Sequence, residues 1–354
     1  VLTGRHPLSF DLPEPGPRQS ERMLPAAATT LAEVLHDAGY ATLGGTANPN
    51  LNAQYGMAQG FDAYRDANNR AFRQNRTGEQ VVDDALAALD ARDPDLRGRP
   101  FYLQLMLIDA HHPRRPDPAT IEAWRAPGVS ETVAVYRASL ARLDAALARL
   151  DEGLEARGHG ASDTLFVFVA DHGEGLDLPA HHGPGHGKKM YGSTVRIPWI
   201  VRGPGVGAGR RIEGLASGVD VLPTLAGLLD VQTPKGADGH DLSAWVRGDR
   251  SDVLPRERAF AYSMFHRADV GSVWTRDRQC QQFFEHDHDK TVTGCFDRQA
   301  DPGFASPIAD PPLLEELLAW RLARMAEGAG TPIEKTHVSD EVAEQLEALG
   351  YADE

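Results

Sequence analysis

Apolar residues at helical spacing alternate with short, continuously apolar runs along the first 250 residues of the chain. The clearest helical stripe consists of leucines three and four residues apart between Leu140 and Leu154, and it ends near Gly158. The clearest apolar runs are 101–108 and 165–169, which predict buried strands, the first of them central in its sheet. This alternation is typical of an α/β fold built on a large, mostly parallel sheet flanked by helices.

Shorter segments follow the same pattern. Thr29 or Thr30 can cap a helix that ends at Gly39 and leads into a strand. A second helix is predicted over 80–89, and a short strand over 197–201 lies within loops rich in Gly and Pro.

The pattern changes beyond about residue 250. Short alternating segments there predict antiparallel strands over 259–264, 272–275, 279–284 and 291–296. A helix over 313–325 follows. We therefore expect a catalytic α/β domain over 1–250 and a smaller antiparallel α+β subdomain over 251–354, with the boundary between 248 and 256.

Charge and composition narrow the function. The formal net charge of −15 argues against sequence-independent binding to nucleic acid, which needs a clustered basic surface. No apolar run approaches the roughly 20 residues of a bilayer-spanning helix, so no membrane span is expected. Residues 1–10 lack the regions of a signal peptide, but the chain opens with Val1, so a cytoplasmic and an exported location both stay open.

An acidic protein that binds an anion needs a locally positive pocket, and Asp171 and His172 indicate how one could form. They directly follow the apolar run 165–169, at the strand end where open α/β sheets place their ligand sites. A carboxylate and an imidazole suit a divalent cation, and Gly173 lets the chain turn away. The alternative is a strand-end aspartate that caps the next turn.

A histidine-rich loop follows within the next fifteen residues. His181, His182 and His186 lie among glycines, with Lys188 and Lys189 behind them. These side chains offer acids, bases and positive charge for an anionic ester. A solvated turn is the alternative, but the proximity of the Asp-His pair in sequence favours an active site.

A second strand end carries similar residues. The run 101–108 is followed by Asp109, His111 and His112. If the two strands are neighbours, His111 would meet Asp171 and could protonate a leaving alkoxide. A histidine whose ring is satisfied by a backbone carbonyl is the equally ordinary alternative.

Cys280 and Cys295 are the only two cysteines, and they flank a predicted turn symmetrically. They would lie opposite each other on two strands. Two buried, reduced thiols are the expectation, and a cross-strand disulfide, which would indicate an oxidising compartment, is the alternative. The turn itself, 286–289, has a His-Asp-His-Asp sequence that could bind a metal but is more typical of a solvated hairpin tip.

In order along nearly the whole chain, these residues resemble the sulfatases of the alkaline phosphatase superfamily. The most specific matches are Asp171-His-Gly-Glu174, Gly185-His-Gly187, Tyr191 and Arg196-Ile-Pro-Trp-Ile-Val-Arg-Gly-Pro-Gly205. Supporting matches are Leu2-Thr-Gly-Arg5, Thr30 to Tyr40, Asn48 to Leu51, Gly60 to Tyr64, Asp109 to Pro113, Asp220 to Thr224 and Leu346 to Tyr351.

The resemblance implies an alkaline-phosphatase-like fold and a role for each matching residue. Asp171 and His172 would bind one divalent cation, calcium in preference to magnesium. His111 and His186 would contact the sulfate and protonate the leaving group. Lys188 competes with His186 for that role, since the family often has a lysine in this loop.

The resemblance also implies parts that the sequence lacks. The family's nucleophile is a formylglycine, made from cysteine by a formylglycine-generating enzyme, or a serine in some relatives, and it is expected upstream of Val1. Neither cysteine lies in the Cys-x-Pro-x-Arg signature, and the aspartate pair that completes the metal site is absent. We therefore expect this chain to be an inactive fragment.

The expected function is metal-dependent hydrolysis of a small-molecule or carbohydrate sulfate ester. A phosphonate or phosphate ester hydrolase of the same superfamily is the first alternative. A non-catalytic binding protein with the sulfatase fold is the second, and the retained aspartate and histidines argue against it.

Overall fold

The computed structural model describes residues 2–10, 23–66, 76–177, 185–187, 189–265, 268–285, 293–329 and 342–344. The chain divides into two compact units, which we call the N-terminal unit, 18–164 with 333–354, and the C-terminal unit, 3–17 with 165–332. The boundary predicted between 248 and 256 stays a prediction.

The N-terminal unit is a parallel sheet with helices. Its elements are α1 (Leu31–Asp37), β1 (Ala41–Thr46), β2 (Ala63–Arg65), α2 (Gly78–Asp90), β3 (Phe101–Met106), α3 (Pro118–Trp124) and α4 (Glu131–Glu155). The strands lie in the order β2-β1-β3, and both pairings are parallel, with Leu43 opposite Ala63 on one side and Leu103 on the other. The helix–strand alternation predicted for this part of the chain is confirmed.

The position of β3 differs from the prediction. Among the described strands of this sheet, β1 is central and all six of its residues are buried. The six residues of β3 are all half-buried, so this strand is not the buried centre that its continuous apolar run predicted. An apolar run shows that a strand is covered, but it does not show which strand has neighbours on both sides.

Local sequence explains where these helices begin. Thr30 caps α1: its hydroxyl accepts the N–H of Glu33, whose carboxylate accepts the N–H of Thr30 in return. Thr77 and Gln80 form the same capping box at the start of α2. The predicted leucine stripe of α4 is wrong at Leu140, which is 39% exposed. The buried face of α4 is instead lined largely by small residues, with Leu150 and Leu154 at its end.

The C-terminal unit contains the remaining helices and strands. They are β4 (Phe166–Val169), α5 (Gly192–Val195), β5 (Trp199–Arg202), α6 (Val221–Leu228), α7 (Ser243–Arg247), β6 (Ala259–Phe265), β7 (Ala268–Trp274), β8 (Arg278–Glu285), β9 (Gly294–Asp297) and α8 (Pro311–Gly328). β4 pairs with β5, and β6 to β9 form an antiparallel sheet in sequential order. The predicted antiparallel sheet and its following helix are thus confirmed.

The two faces of the β6–β9 sheet differ in what they cover. On one face, Cys280 and Cys295 lie with Leu313 and Leu317 of α8. On the other face, Trp274 and Phe296 pack with Tyr191 and Phe304. Cys295 and Phe296, adjacent residues of β9, therefore lie on opposite faces, as the alternation of a strand requires.

Cys280 and Cys295 are directly opposite each other in the β8–β9 pairing and form a disulfide, with their Cα atoms 3.9 Å apart. The expectation of two reduced thiols is wrong. The hairpin tip at 286–289 lies outside the described residues. In the described part of the chain, no helix combines the length and the apolar character that crossing a membrane requires.

Candidate active site

The centre of the candidate site is the end of β4. Asp171 follows the strand by two residues, and the N–H of Gly173 donates to the carbonyl of Thr194 at 2.8 Å, so the chain turns sharply against α5. A Cβ atom at position 173 would collide with the carbonyl oxygen of Ser193. Glycine is therefore required here by the close approach of two backbones.

The two predicted metal ligands, Asp171 and His172, lie close together. The Nδ1 of His172 lies 2.8 Å from the carbonyl oxygen of Gly173, a contact that keeps the proton on Nδ1 and leaves Nε2 as the ligand atom. That Nε2 lies 3.6 Å from Oδ2 of Asp171. The other carboxylate oxygen, Oδ1, accepts the N–H of His172, and the carboxylate is 52% exposed.

The geometry fits part of a metal site. A separation of 3.6 Å allows one cation to contact both atoms at roughly 2.0–2.5 Å. Within the described ranges, no group of three or more His, Cys, Asp or Glu side chains could hold a metal ion. The metal-binding role of Asp171 and His172 therefore stays a prediction.

His186 is the second predicted residue that the structure brings to this place. Its ring stacks on His172, with centroids 3.9 Å apart and planes at 25°. Its Nδ1 lies 3.8 Å from Oε2 of Glu174, and its side chain is only 16% exposed. Of the histidine-rich loop, His186 thus lies against the Asp-His pair.

Glu174 holds this loop in place, a role that the sequence did not indicate. Its Oε1 accepts the N–H of Gly175 at 3.0 Å and the N–H of Gly185 at 2.6 Å. The N–H of Gly175 also donates to the carbonyl of Gly185. One buried carboxylate therefore joins the strand end to the loop that carries His186. The only signal in the sequence is an acidic residue next to the Asp-His-Gly motif.

Three predicted loop positions, His181, His182 and Lys188, lie outside the described residues. Lys189 is described: its carbonyl accepts the hydroxyl of Thr194 at 2.8 Å. The choice between His186 and Lys188 as the sulfate contact stays open.

His111 belongs to the N-terminal unit, in the turn after β3. Its N–H donates to the carbonyl of Ile108, and its Nδ1 lies 2.5 Å from the carbonyl oxygen of His112. The carbonyl contact is the one expected of a histidine with a structural role. The catalytic role of His111 stays a prediction.

Asp109, two residues earlier, has a structural role. Its Oδ2 accepts the N–H of Gly78, the first residue of α2, at 2.8 Å, and Arg142 lies 3.8 Å from Oδ1. Burial raises the pKa of the Asp109 carboxyl, although the N–H of Gly78 and the charge of Arg142 oppose the effect. Its side chain is 5% exposed, so it is not available to a ligand.

In comparisons with known proteins, the chain matches sulfatases and other members of the alkaline phosphatase superfamily. Residues 1–231 match the family profile described as Sulfatase. Arylsulfatase K of Xenopus laevis is 28% identical over 184 residues, which cover 50% of this chain and 33% of that protein. The multifunctional alkaline phosphatase superfamily protein PehA of Trinickia caryophylli is 26% identical over 269 residues, or 68% of this chain and 51% of that protein.

Solved structures share the fold. A protein solved in complex with its substrate D-glucosamine-2-N,6-O-disulfate superimposes with a TM-score of 0.68 at 16% identity, over 93% of this chain and 87% of that one. At this identity the likeness shows the fold alone.

The fold and the strand-end Asp-His pair define an α/β domain of the alkaline-phosphatase type. Because the Sulfatase profile matches well over half of its residues, the chain belongs to the sulfatase family. Sulfatases generally use a divalent metal ion and a formylglycine nucleophile. The chain spans between a third and about half of the length of the two curated relatives above.

Proposed function

We propose that the full-length protein hydrolyses a sulfate monoester. The observation that carries the proposal is the stacking of His186 on His172, beside Asp171, in a chain that matches the Sulfatase profile. In this acidic chain, the imidazoles of His172 and His186 lie together beside the carboxylate of Asp171. Such a cluster suits an anion whose charge is partly neutralised by a bound cation.

The proposed roles follow from the positions of the side chains. Asp171 and His172 would hold a divalent cation, calcium in preference to magnesium, which when bound supplies positive charge next to the ester oxygens. His186 lies beside this pair and would either bind a sulfate oxygen or protonate the departing alcohol. His111 and Lys188 keep the roles that the resemblance to sulfatases assigns them.

The nucleophile is proposed to be a formylglycine supplied by sequence other than these 354 residues. Neither Cys280 nor Cys295 lies in a Cys-x-Pro-x-Arg sequence, and both are joined in a disulfide on the face of the β6–β9 sheet that α8 covers. A formylglycine-generating enzyme is then a required partner of the full-length protein.

The proposed substrate class is a sulfated carbohydrate or a small sulfate ester. The structural neighbour described above was solved with a disulfated glucosamine as its substrate. The name of PehA, a multifunctional alkaline phosphatase superfamily protein, favours a second candidate, hydrolysis of phosphonate or phosphate esters.

One experiment separates these candidates. The full-length protein, co-expressed with a formylglycine-generating enzyme, is assayed with nitrophenyl sulfate, nitrophenyl phosphate and a phenyl phosphonate nitrophenyl ester. We expect the highest kcat/KM for the sulfate, loss of activity with a chelator, and recovery with Ca²⁺ above that with Mg²⁺. Preference for the phosphorus esters would promote the second candidate. No turnover of any ester by protein that carries formylglycine would contradict both.

A further inference from the structure

Two glutamines lie fully buried on one face of β8. Gln279 and Gln281 are both 0% exposed, and they lie on the sheet face opposite to Cys280. Burying an uncharged amide costs free energy unless its polar atoms form hydrogen bonds. An apolar side chain would fill such a place at lower cost, so the hydrogen bonds of the two amides have to offset the cost of burying them.

Both glutamines bind the same backbone residue of the site loop. The N–H of Met190 donates to Oε1 of Gln281 at 2.9 Å, and Nε2 of Gln279 donates to the carbonyl of Met190 at 3.0 Å. The two side chains thus satisfy both main-chain groups of Met190, as a neighbouring strand would do. Among the described atoms, Oε1 of Gln279 and Nε2 of Gln281 have no hydrogen-bond partner. The pair therefore fixes one backbone position while leaving half of its own capacity unused.

Met190 is four residues from His186, and the chain is also held on the other side of that histidine. Glu174 binds the N–H of Gly185, immediately before His186. Beyond Met190, Tyr191 packs with Phe296 and Phe304, and this fixes the direction in which the chain leaves. The segment with His186 is thus attached at one end to the end of β4 and at the other to β8.

We propose that Gln279 and Gln281 are positioning residues of the candidate active site. By binding the backbone N–H and carbonyl of Met190, they set the position of His186 over His172. The inference rests on the proposed function for its catalytic consequence. The attachment itself does not depend on which ester is hydrolysed.

The first test measures the attachment without any activity. In the full-length protein, Gln281→Leu removes the acceptor of the Met190 N–H and puts an apolar side chain of similar size in its place. We expect amide hydrogen exchange in peptides covering 185–195 to become at least tenfold faster. Unchanged exchange there would overturn the proposal.

The second test measures catalysis. With the preferred ester class of the wild-type protein, Gln279→Leu and Gln281→Leu should lower kcat about tenfold or more for esters with poor, alkyl leaving groups. The effect on nitrophenyl esters should be smaller and KM should stay within about threefold, because a displaced proton donor matters most when the leaving group is basic.

The control is Gln282→Leu, the same substitution at the next residue of β8, whose side chain lies on the opposite face of the strand, with Cys280. If this control lowers kcat with the same leaving-group dependence, the glutamines act only through stability and the proposal is overturned. Should the wild-type protein prefer a phosphonate, the proposed function fails, while the same comparison on alkyl and nitrophenyl phosphonates still tests the glutamines.

Discussion

The residues that follow β3 and those that follow β4 are similar in sequence but differ in what their side chains bind. An aspartate and a histidine follow β3 as well as β4. The carboxylate of Asp109 is bound to the first N–H of α2 and is 5% exposed, whereas that of Asp171 accepts one N–H from its own neighbour and is 52% exposed. A strand-end carboxylate can serve a ligand only when it stays accessible after its bonds to the backbone have formed.

The strongest test of the difference between Asp171 and Asp109 is to remove each carboxylate in turn. In the full-length protein, Asp171→Ala should lower kcat/KM about a hundredfold or more, because the proposed cation ligand is lost. Asp109→Ala is the matched variant and should change kcat/KM far less. Equal losses in the two variants, measured with the same sulfate ester, would show that the exposed fraction does not distinguish the roles.

The next effect concerns Glu174. Glu174→Ala removes the acceptor of two backbone N–H groups and should lower kcat/KM about 10- to 100-fold by releasing the loop of His186. Glu174→Gln keeps one acceptor oxygen and should recover most of the loss in the same assay. If the glutamine variant were as inactive as the alanine variant, the charge of Glu174, not its hydrogen bonds, would be the important property.

The third effect is on stability and belongs to Asp109. Asp109→Ala leaves the N–H of Gly78 without its acceptor and should lower the free energy of unfolding by about 1–3 kcal/mol. Asp109→Asn keeps an acceptor and should cost less. Urea unfolding of the three proteins at pH 7 measures this order, and an alanine variant as stable as wild type would contradict it.

The effect that is smallest at neutral pH concerns a buried histidine. Burial lowers the pKa of His6 to about 4, with Asp238 opposing and Arg324 adding to the effect. The unfolded chain, with a histidine pKa near 6.5, takes up the proton first, so stability is complete above that pH and falls as the pH is lowered towards 4.

We therefore expect wild-type protein to lose up to about 1.4 kcal/mol per pH unit between pH 6.5 and 4 relative to His6→Gln, measured by urea unfolding. Parallel curves for wild type and His6→Gln would mean that His6 takes up its proton equally readily in both states.

Much of the architecture could be predicted from periodicity. The capping box at Thr30 and the strand that delivers Asp171 are signals contained in a few neighbouring residues. The contact of His186 with the Asp-His pair could also be predicted, because the two are close along the chain and separated by glycines.

What the sequence did not show depends on contacts between distant residues. Leu140 is exposed although it has helical spacing, because smaller side chains line the buried face of α4. The bond from Glu174 to Gly185 spans eleven residues, and those from Gln279 and Gln281 to Met190 about ninety. No local sequence pattern predicts hydrogen bonds between residues so far apart. The disulfide was likewise not the expectation from the sequence, because it depends on the register of β8 and β9 that places the two cysteines opposite each other.

That disulfide has a consequence for the strand that carries the two glutamines. Side chains of a strand alternate between its faces, so sliding β8 by one residue would turn Gln279 and Gln281 towards α8 and Cys280 towards the loop. A covalent bond between Cys280 and Cys295 forbids that slip. The crosslink therefore acts as a register lock: it lies on the face away from the candidate site, yet it ensures that the amides rather than the thiols meet Met190.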